Sequence, residues 1–132
     1  MQEGWQGRLS VRVDAAPVQT LSAAFDLRGH PDQGELTLTS PLGTMVAQAR
    51  WAPDSVEWRT TSETRSFPSL DAMAVQLTGT ALPMAALFDW LHGIPTRADG
   101  WEPDLKEFDQ GRISAHREQP APQATVRLVL DR

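Results

Sequence analysis

Period-two alternation of apolar and polar residues runs through most of this chain, and it leaves few folds open. In "GRLSVRVD", Leu9, Val11 and Val13 take one side, while Arg8, Ser10, Arg12 and Asp14 take the other. The same rhythm returns at Leu21, Ala23, Phe25 and Leu27, at Leu36 and Leu38, and at Met45, Ala47, Ala49 and Trp51. It continues at Val56 and Trp58, at Ile113 and Ala115, and at Val126, Leu128 and Leu130. Alternation of this kind marks strands with one buried face. Gly, Pro and Asp punctuate the junctions at spacings short enough for antiparallel hairpins.

Only the stretch from Pro68 to Gly93 breaks the pattern. Leu70, Met73, Ala74 and Leu77 fall at helical spacing, with Ser69 placed to cap the helix and Asp71 in its first turn. A second helix carries Met84, Leu87, Phe88 and Leu91 on one face, with Pro83 early and Gly93 just past the end. Ala85, Ala86 and Trp90 widen its apolar arc until Asp89 is the one charge, so this helix should be enclosed.

Areas then decide the architecture. About nine strands at ~4.8 Å spacing make a sheet roughly 43 Å across, and two short helices cover about half of one face. Such a sheet must curl. The expected fold is mainly β, a curved antiparallel sheet forming an incomplete barrel, with two or so short helices over its apolar concave face. The pattern leaves open whether its interior is packed or retains an apolar hollow. With 132 residues, positions 1–132 read as one domain.

Composition removes several functions. The net charge of -5, with scattered arginines and Lys106 as the single lysine, argues against nucleic acid as a partner. The absence of cysteine excludes thiolate chemistry and cysteine zinc sites. His30, His92 and His116 lack metal-ligand spacing, and no nucleophile elbow or phosphate loop occurs. Neither an enzyme nor a cofactor is expected. Trp5, Trp51, Trp58, Trp90 and Trp101 read as core packing or as the lining of a hollow. No apolar run reaches the ~20 residues of a membrane helix. The opening residues lack the features of a signal peptide.

One turn stands apart. In "TSPLGTM", Pro41 and Gly43 suit a tight turn between two strands and hold Leu42 near its tip. Leu42 either folds back on the core or is displayed toward something apolar.

The run "LTLTSPLGTMVAQARW", then "LTGTALPMAALFDWLHGIP" and "DGW", resembles the LolB family of bacterial outer-membrane lipoprotein receptors. The ordered pieces are Ser40 to Gly43, Leu77 to Gly79, Leu82-Pro83, Trp90 to Pro95, Gly100-Trp101 and Val126 to Arg132. The resemblance implies an apolar cavity for lipoprotein acyl chains. It also implies receipt of cargo from a periplasmic carrier of the LolA type and release into the inner leaflet of the outer membrane. Leu42, with Pro41 and Gly43, matches the family's membrane-insertion turn. For the cavity the expected residues are Leu21, Phe25, Leu36, Leu38, Trp58, Met73, Leu77, Leu87, Phe88 and Leu91, each of which could equally be ordinary core.

Family members begin with a signal peptide, a lipidated cysteine and an N-terminal helix. None of these is found here, so this chain is expected to be the soluble, monomeric portion of a lipid-anchored protein on the periplasmic face of the outer membrane. Two other classes compete: a general hydrophobic-ligand binder, and a structural outer-membrane assembly module that holds no ligand. A lipid-acting hydrolase is disfavoured by the missing nucleophile motif.

Overall fold

The computed structural model describes residues 4–78, 82–119 and 121–131, with the side chains of 77 and 78 outside the description. Six strands come first: β1 (Gly4–Val13), β2 (Gln19–His30), β3 (Gln33–Thr39), β4 (Met45–Ala52), β5 (Ser55–Thr60) and β6 (Thr64–Phe67). Helices α1 (Leu70–Thr78) and α2 (Met84–Leu91) follow, then β7 (Trp101–Asp104), β8 (Arg112–Arg117) and β9 (Ala124–Leu130). They form one nine-stranded sheet in the order β6-β5-β4-β3-β2-β1-β9-β8-β7, every pairing antiparallel. The sheet remains open, with β6 and β7 at its two ends. This is the incomplete barrel that the area comparison anticipates.

Register carries each strand's apolar set to the same side. Val11 faces Leu21 on one neighbour and Val126 on the other, and Leu9 faces Ala23 and Leu128. Leu36 pairs with Ala49, which in turn pairs with Trp58. A one-residue slip would turn every one of these side chains to solvent, so burial itself selects the register. Ala47 and Ala49 are fully buried, as are Val13 and Trp101 to within one per cent.

Two strands escape the alternation: β6 has only Phe67 to mark it and β7 only Trp101, while β1 starts at Gly4, ahead of its apolar repeat. A short edge strand needs pairing on one side only, and the β6 sequence "TRSF" is correspondingly polar.

The helices form as their capping residues anticipate. Ser69 Oγ accepts a hydrogen bond from the Ala72 amide at 3.0 Å. Leu70, Met73 and Ala74 of α1 are buried. In α2, Met84, Ala86, Leu87, Phe88, Trp90 and Leu91 are buried, while Ala85 faces solvent. Gly93 terminates α2 with φ +79°, donating its amide to the Trp90 carbonyl at 3.0 Å.

The start of α2 has no cap from its own Pro83. Asp71 of α1 supplies one instead, its Oδ1 accepting from the Met84 amide at 3.1 Å. This bond ties the two helices together. Asp71→Ala is expected to cost about 1 kcal/mol, lowering Tm by roughly 4 °C, whereas Asn at this position retains the acceptor. Thermal unfolding of the two variants side by side checks it.

Candidate functional site

Beneath the helices lies a partly open apolar cavity of about 80 Å³. Its wall consists of Leu9, Val11, Leu21, Leu36, Leu38, Met73, Ala74, Leu82, Met84, Leu87, Val126 and Leu128, without a polar side chain. A wall of this composition offers no hydrogen-bond partner to water, so such a space stays dry and suits hydrocarbon. The volume is small. It falls below the ~150 Å³ of a dry cavity that admits a benzene ring. In this conformation no long acyl chain fits without movement of the helical roof.

The aromatic residues explain the shortage of space. Phe88 of α2 packs edge-on against Trp5 of β1 at 5.9 Å and against Trp51 of β4 at 6.4 Å. Trp90 lies 6.4 Å from Trp101 and donates its indole N–H to the Thr96 carbonyl at 2.7 Å. Large rings thus fill interior space beyond the cavity wall. The packed and hollow interiors left open by the sequence are both present, in different parts of the barrel.

Of the residues expected to line a cavity, Leu21, Leu36, Leu38, Met73 and Leu87 are brought together on its wall. Phe25, Trp58, Phe88 and Leu91 are buried in the surrounding core but are not on the wall. The side chain of Leu77 lies outside the described residues. Sequence reasoning passed over Leu9, Val11, Ala74, Leu82, Met84, Val126 and Leu128. Their parity and helical spacing were visible, but the juxtaposition of β1 with β9 under the helices was not.

Arg117 was likewise passed over. It follows Ile113 and Ala115 with inward parity, and it is buried. Its guanidinium stacks over Trp101 at 5.5 Å, and Nη2 donates to the Pro122 carbonyl at 3.0 Å, joining the β8–β9 loop to the core.

The turn between β3 and β4 is firmly tied at its base. The Gly43 amide donates to the Ser40 carbonyl, and the Ser40 amide to the Thr44 carbonyl, both at 2.9 Å. The Thr44 amide also reaches Ser40 Oγ at 3.3 Å. Gly43 adopts φ +88°, a conformation that favours glycine, and a Cβ there would meet nothing within 4 Å. Leu42 does not fold back: it is 93 % exposed, and Met45 and Val46 just beyond it are exposed as well. The turn is a rigid mount for a leucine held in solvent.

Outside this apolar system the ionisable groups form local surface pairs, among them Arg12–Asp14, Arg50–Glu35 and Arg59–Glu57. The Arg28 guanidinium is pushed above its usual range, first by its hydrogen bond to Asp26 and then by that carboxylate's charge. No group of three or more metal-ligating side chains occurs among the described residues. No helix among them is long and apolar enough to cross a membrane.

An open antiparallel barrel, roofed by helices over a dry apolar cavity, defines a class of proteins built around a hydrophobic interior. The chain belongs to the LolB family, whose description is "Outer membrane lipoprotein LolB" and whose match covers residues 4–130. It is 30 % identical over 89 residues to the outer-membrane lipoprotein LolB of Chromobacterium violaceum, covering 67 % of this chain and 48 % of that protein. It is 28 % identical over 149 aligned positions to the LolB of Bordetella pertussis, covering 94 % of this chain and 75 % of that protein. A stretch of 67 residues is 39 % identical to the LolB of Pectobacterium carotovorum, covering 49 % of this chain and 32 % of that protein. The chain thus spans about half the length of the Chromobacterium relative and about a third of the Pectobacterium one.

Proposed function

We propose that this chain binds the acyl chains of lipoproteins in its apolar interior, takes them from a periplasmic carrier of the LolA type, and inserts them into the outer membrane. In this reading the chain works as a monomer at the periplasmic face of that membrane. The observation that carries the reading is the dry cavity walled entirely by apolar side chains beneath two short helices. Family membership and the displayed Leu42 support it.

The physical need is simple. Each methylene exposed to water costs about 0.8 kcal/mol, so one sixteen-carbon tail costs on the order of 12 kcal/mol to carry unprotected. An apolar interior removes that cost, and the bilayer removes it equally. Transfer then runs downhill through small affinity differences, without a nucleotide.

Loading requires the roof to give way, and α1 is the element proposed to move. α2 is held by six buried side chains and by the Trp90–Thr96 bond, to which Asp89 adds its own bond from Thr96 Oγ1 at 2.7 Å. α1 contributes Met73 and Ala74 to the cavity wall and leaves Val75 and Gln76 in solvent. Displacing it breaks the Asp71–Met84 bond and exposes Leu70, Met73 and Ala74, half as many buried side chains as α2 carries.

Organic extraction of the purified protein followed by mass spectrometry is the direct test, and copurified acyl species are expected. A second test fills the hollow. Ala74→Leu adds an isopropyl group at the wall and is expected to weaken binding of a fluorescent acyl probe about tenfold, the equivalent of excluding roughly two methylenes. Thermal stability should hold or rise. Unchanged probe affinity in a folded variant would place the tail elsewhere.

The small resting volume favours one alternative, a structural outer-membrane module that holds no ligand. Saturable, displaceable binding of the acyl probe by the parent chain separates the two. A general hydrophobic-ligand binder would take the probe without preferring lipoprotein tails, as competition with free fatty acid would reveal.

A further inference from the structure

The face of the sheet opposite the cavity carries a second feature. Seven arginines point from its strands to the outer side, and five of them hold a carboxylate: Arg12 with Asp14, Arg28 with Asp26, Arg50 with Glu35, Arg59 with Glu57, and Arg112 with Glu107. Arg8 and Arg127 have no such ion pair among the described residues, and both are exposed. They are also neighbours. Arg127 lies opposite Ser10 and Arg8 lies opposite Val129, so the two arginines form a cross-strand diagonal on one face. Such diagonal positions are about 7–8 Å apart, within reach of long side chains.

Two cations so placed repel one another, and they flank an open groove of about 600 Å³. Ser10, Ser22 and Ala24 line its floor, and Pro41 and Gly43 of the β3–β4 turn border it. The residue between those two is Leu42, at the displayed tip. The groove therefore combines paired guanidinium groups, serine hydroxyls and apolar surface from Ala24, Pro41 and Val129.

We propose that Arg8 and Arg127 seat the phosphate of a membrane phospholipid while the β3–β4 turn touches the bilayer. Planar guanidinium groups match phosphate oxygens bidentately, the hydroxyls complete the polar lining, and the apolar border suits the lipid beyond its phosphate. The chain as a whole carries a charge of -5, so its attraction to a phosphate surface has to be local. The pair supplies that locality beside the leucine. It orients the protein, whereas the leucine enters the hydrocarbon. This proposal rests on the membrane-touching role of the turn, and the experiment separates the two.

Sedimentation with vesicles of phosphatidylethanolamine and phosphatidylglycerol is compared for the parent chain, Arg8→Gln/Arg127→Gln and Leu42→Glu, at low and raised salt. The double variant is expected to lose partitioning roughly thirtyfold at low salt and most of its salt dependence, about fivefold for each charge removed. Its acyl-probe affinity and Tm should match the parent's, since both side chains are exposed on the face away from the cavity. Equal vesicle binding by parent and double variant, with Leu42→Glu impaired, overturns the phosphate seat and leaves the turn's role standing. Loss in the double variant with Leu42→Glu unaffected supports the seat and removes the turn's role. Absence of parent binding at low salt overturns the seat. Displacement of the parent by millimolar inorganic phosphate at constant ionic strength also overturns it, by making free phosphate the occupant.

Discussion

Leu42→Glu is expected to abolish delivery of a bound lipoprotein to vesicles while leaving acyl binding unchanged. The side chain is 93 % exposed on a turn whose base is held by backbone bonds from Ser40 to Thr44, so the fold does not depend on it. An exposed substitution of this kind changes stability by no more than about 0.5 kcal/mol. No residue of the turn lies on the cavity wall. At a bilayer the balance differs. Burying a leucine contributes about 1.5–3 kcal/mol, and losing it reduces membrane residence roughly 10- to 150-fold, before the added repulsion between glutamate and lipid phosphates. That energy suits a transient touch, not an anchor. Leu42→Phe should retain delivery. The measurement is transfer of a preloaded labelled lipoprotein to vesicles, with probe binding and Tm run on the same samples. Delivery at the parent rate by Leu42→Glu would remove the turn from the mechanism.

The largest loss of stability is expected at Trp90, for a different physical reason. Trp90 is fully buried on α2, beside Trp101 and bonded to the Thr96 carbonyl. Trp90→Ala removes the ring, opens a cavity and leaves that carbonyl without its indole donor. Together these cost roughly 3–5 kcal/mol, a large share of the 5–15 kcal/mol that holds a domain together. Trp90→Phe refills most of the space but cannot donate, so its loss should be smaller and traceable to the missing bond. Chemical denaturation of both variants gives the comparison. A change below about 1 kcal/mol in Trp90→Ala would mean that α2 is not a fixed part of the roof.

The two variants probe opposite ends of legibility. Leu42 could be placed at a turn tip from Pro41 and Gly43 alone, yet whether it folded inward was not decidable from the string. That depends on where the neighbouring strands lie. Trp90 could be seen as surplus apolar surface on α2, which correctly foretold enclosure. Its partner Thr96 was not foreseeable, because the chain reverses after Gly93 through a path that no periodicity marks. Half of the ten expected cavity residues reached the wall because inward parity and helical facing are local properties. Phe25, Trp58, Phe88 and Leu91 obeyed the same rules and still became packing, since position along the barrel decides who meets the hollow.

The alternation along the strands determined the class of fold, the buried face of each strand it marks and the need for a helical roof. Parity is a property of neighbouring residues, and one face of a strand cannot be apolar without being hidden. The amount of empty space beneath that roof was decided only in three dimensions. It is the small difference between the volume the curved sheet encloses and the volume that Trp5, Trp51, Phe88, Trp90 and their neighbours fill. So was the pairing of Arg8 with Arg127. They are separated by most of the chain and meet only because β1 and β9 lie side by side.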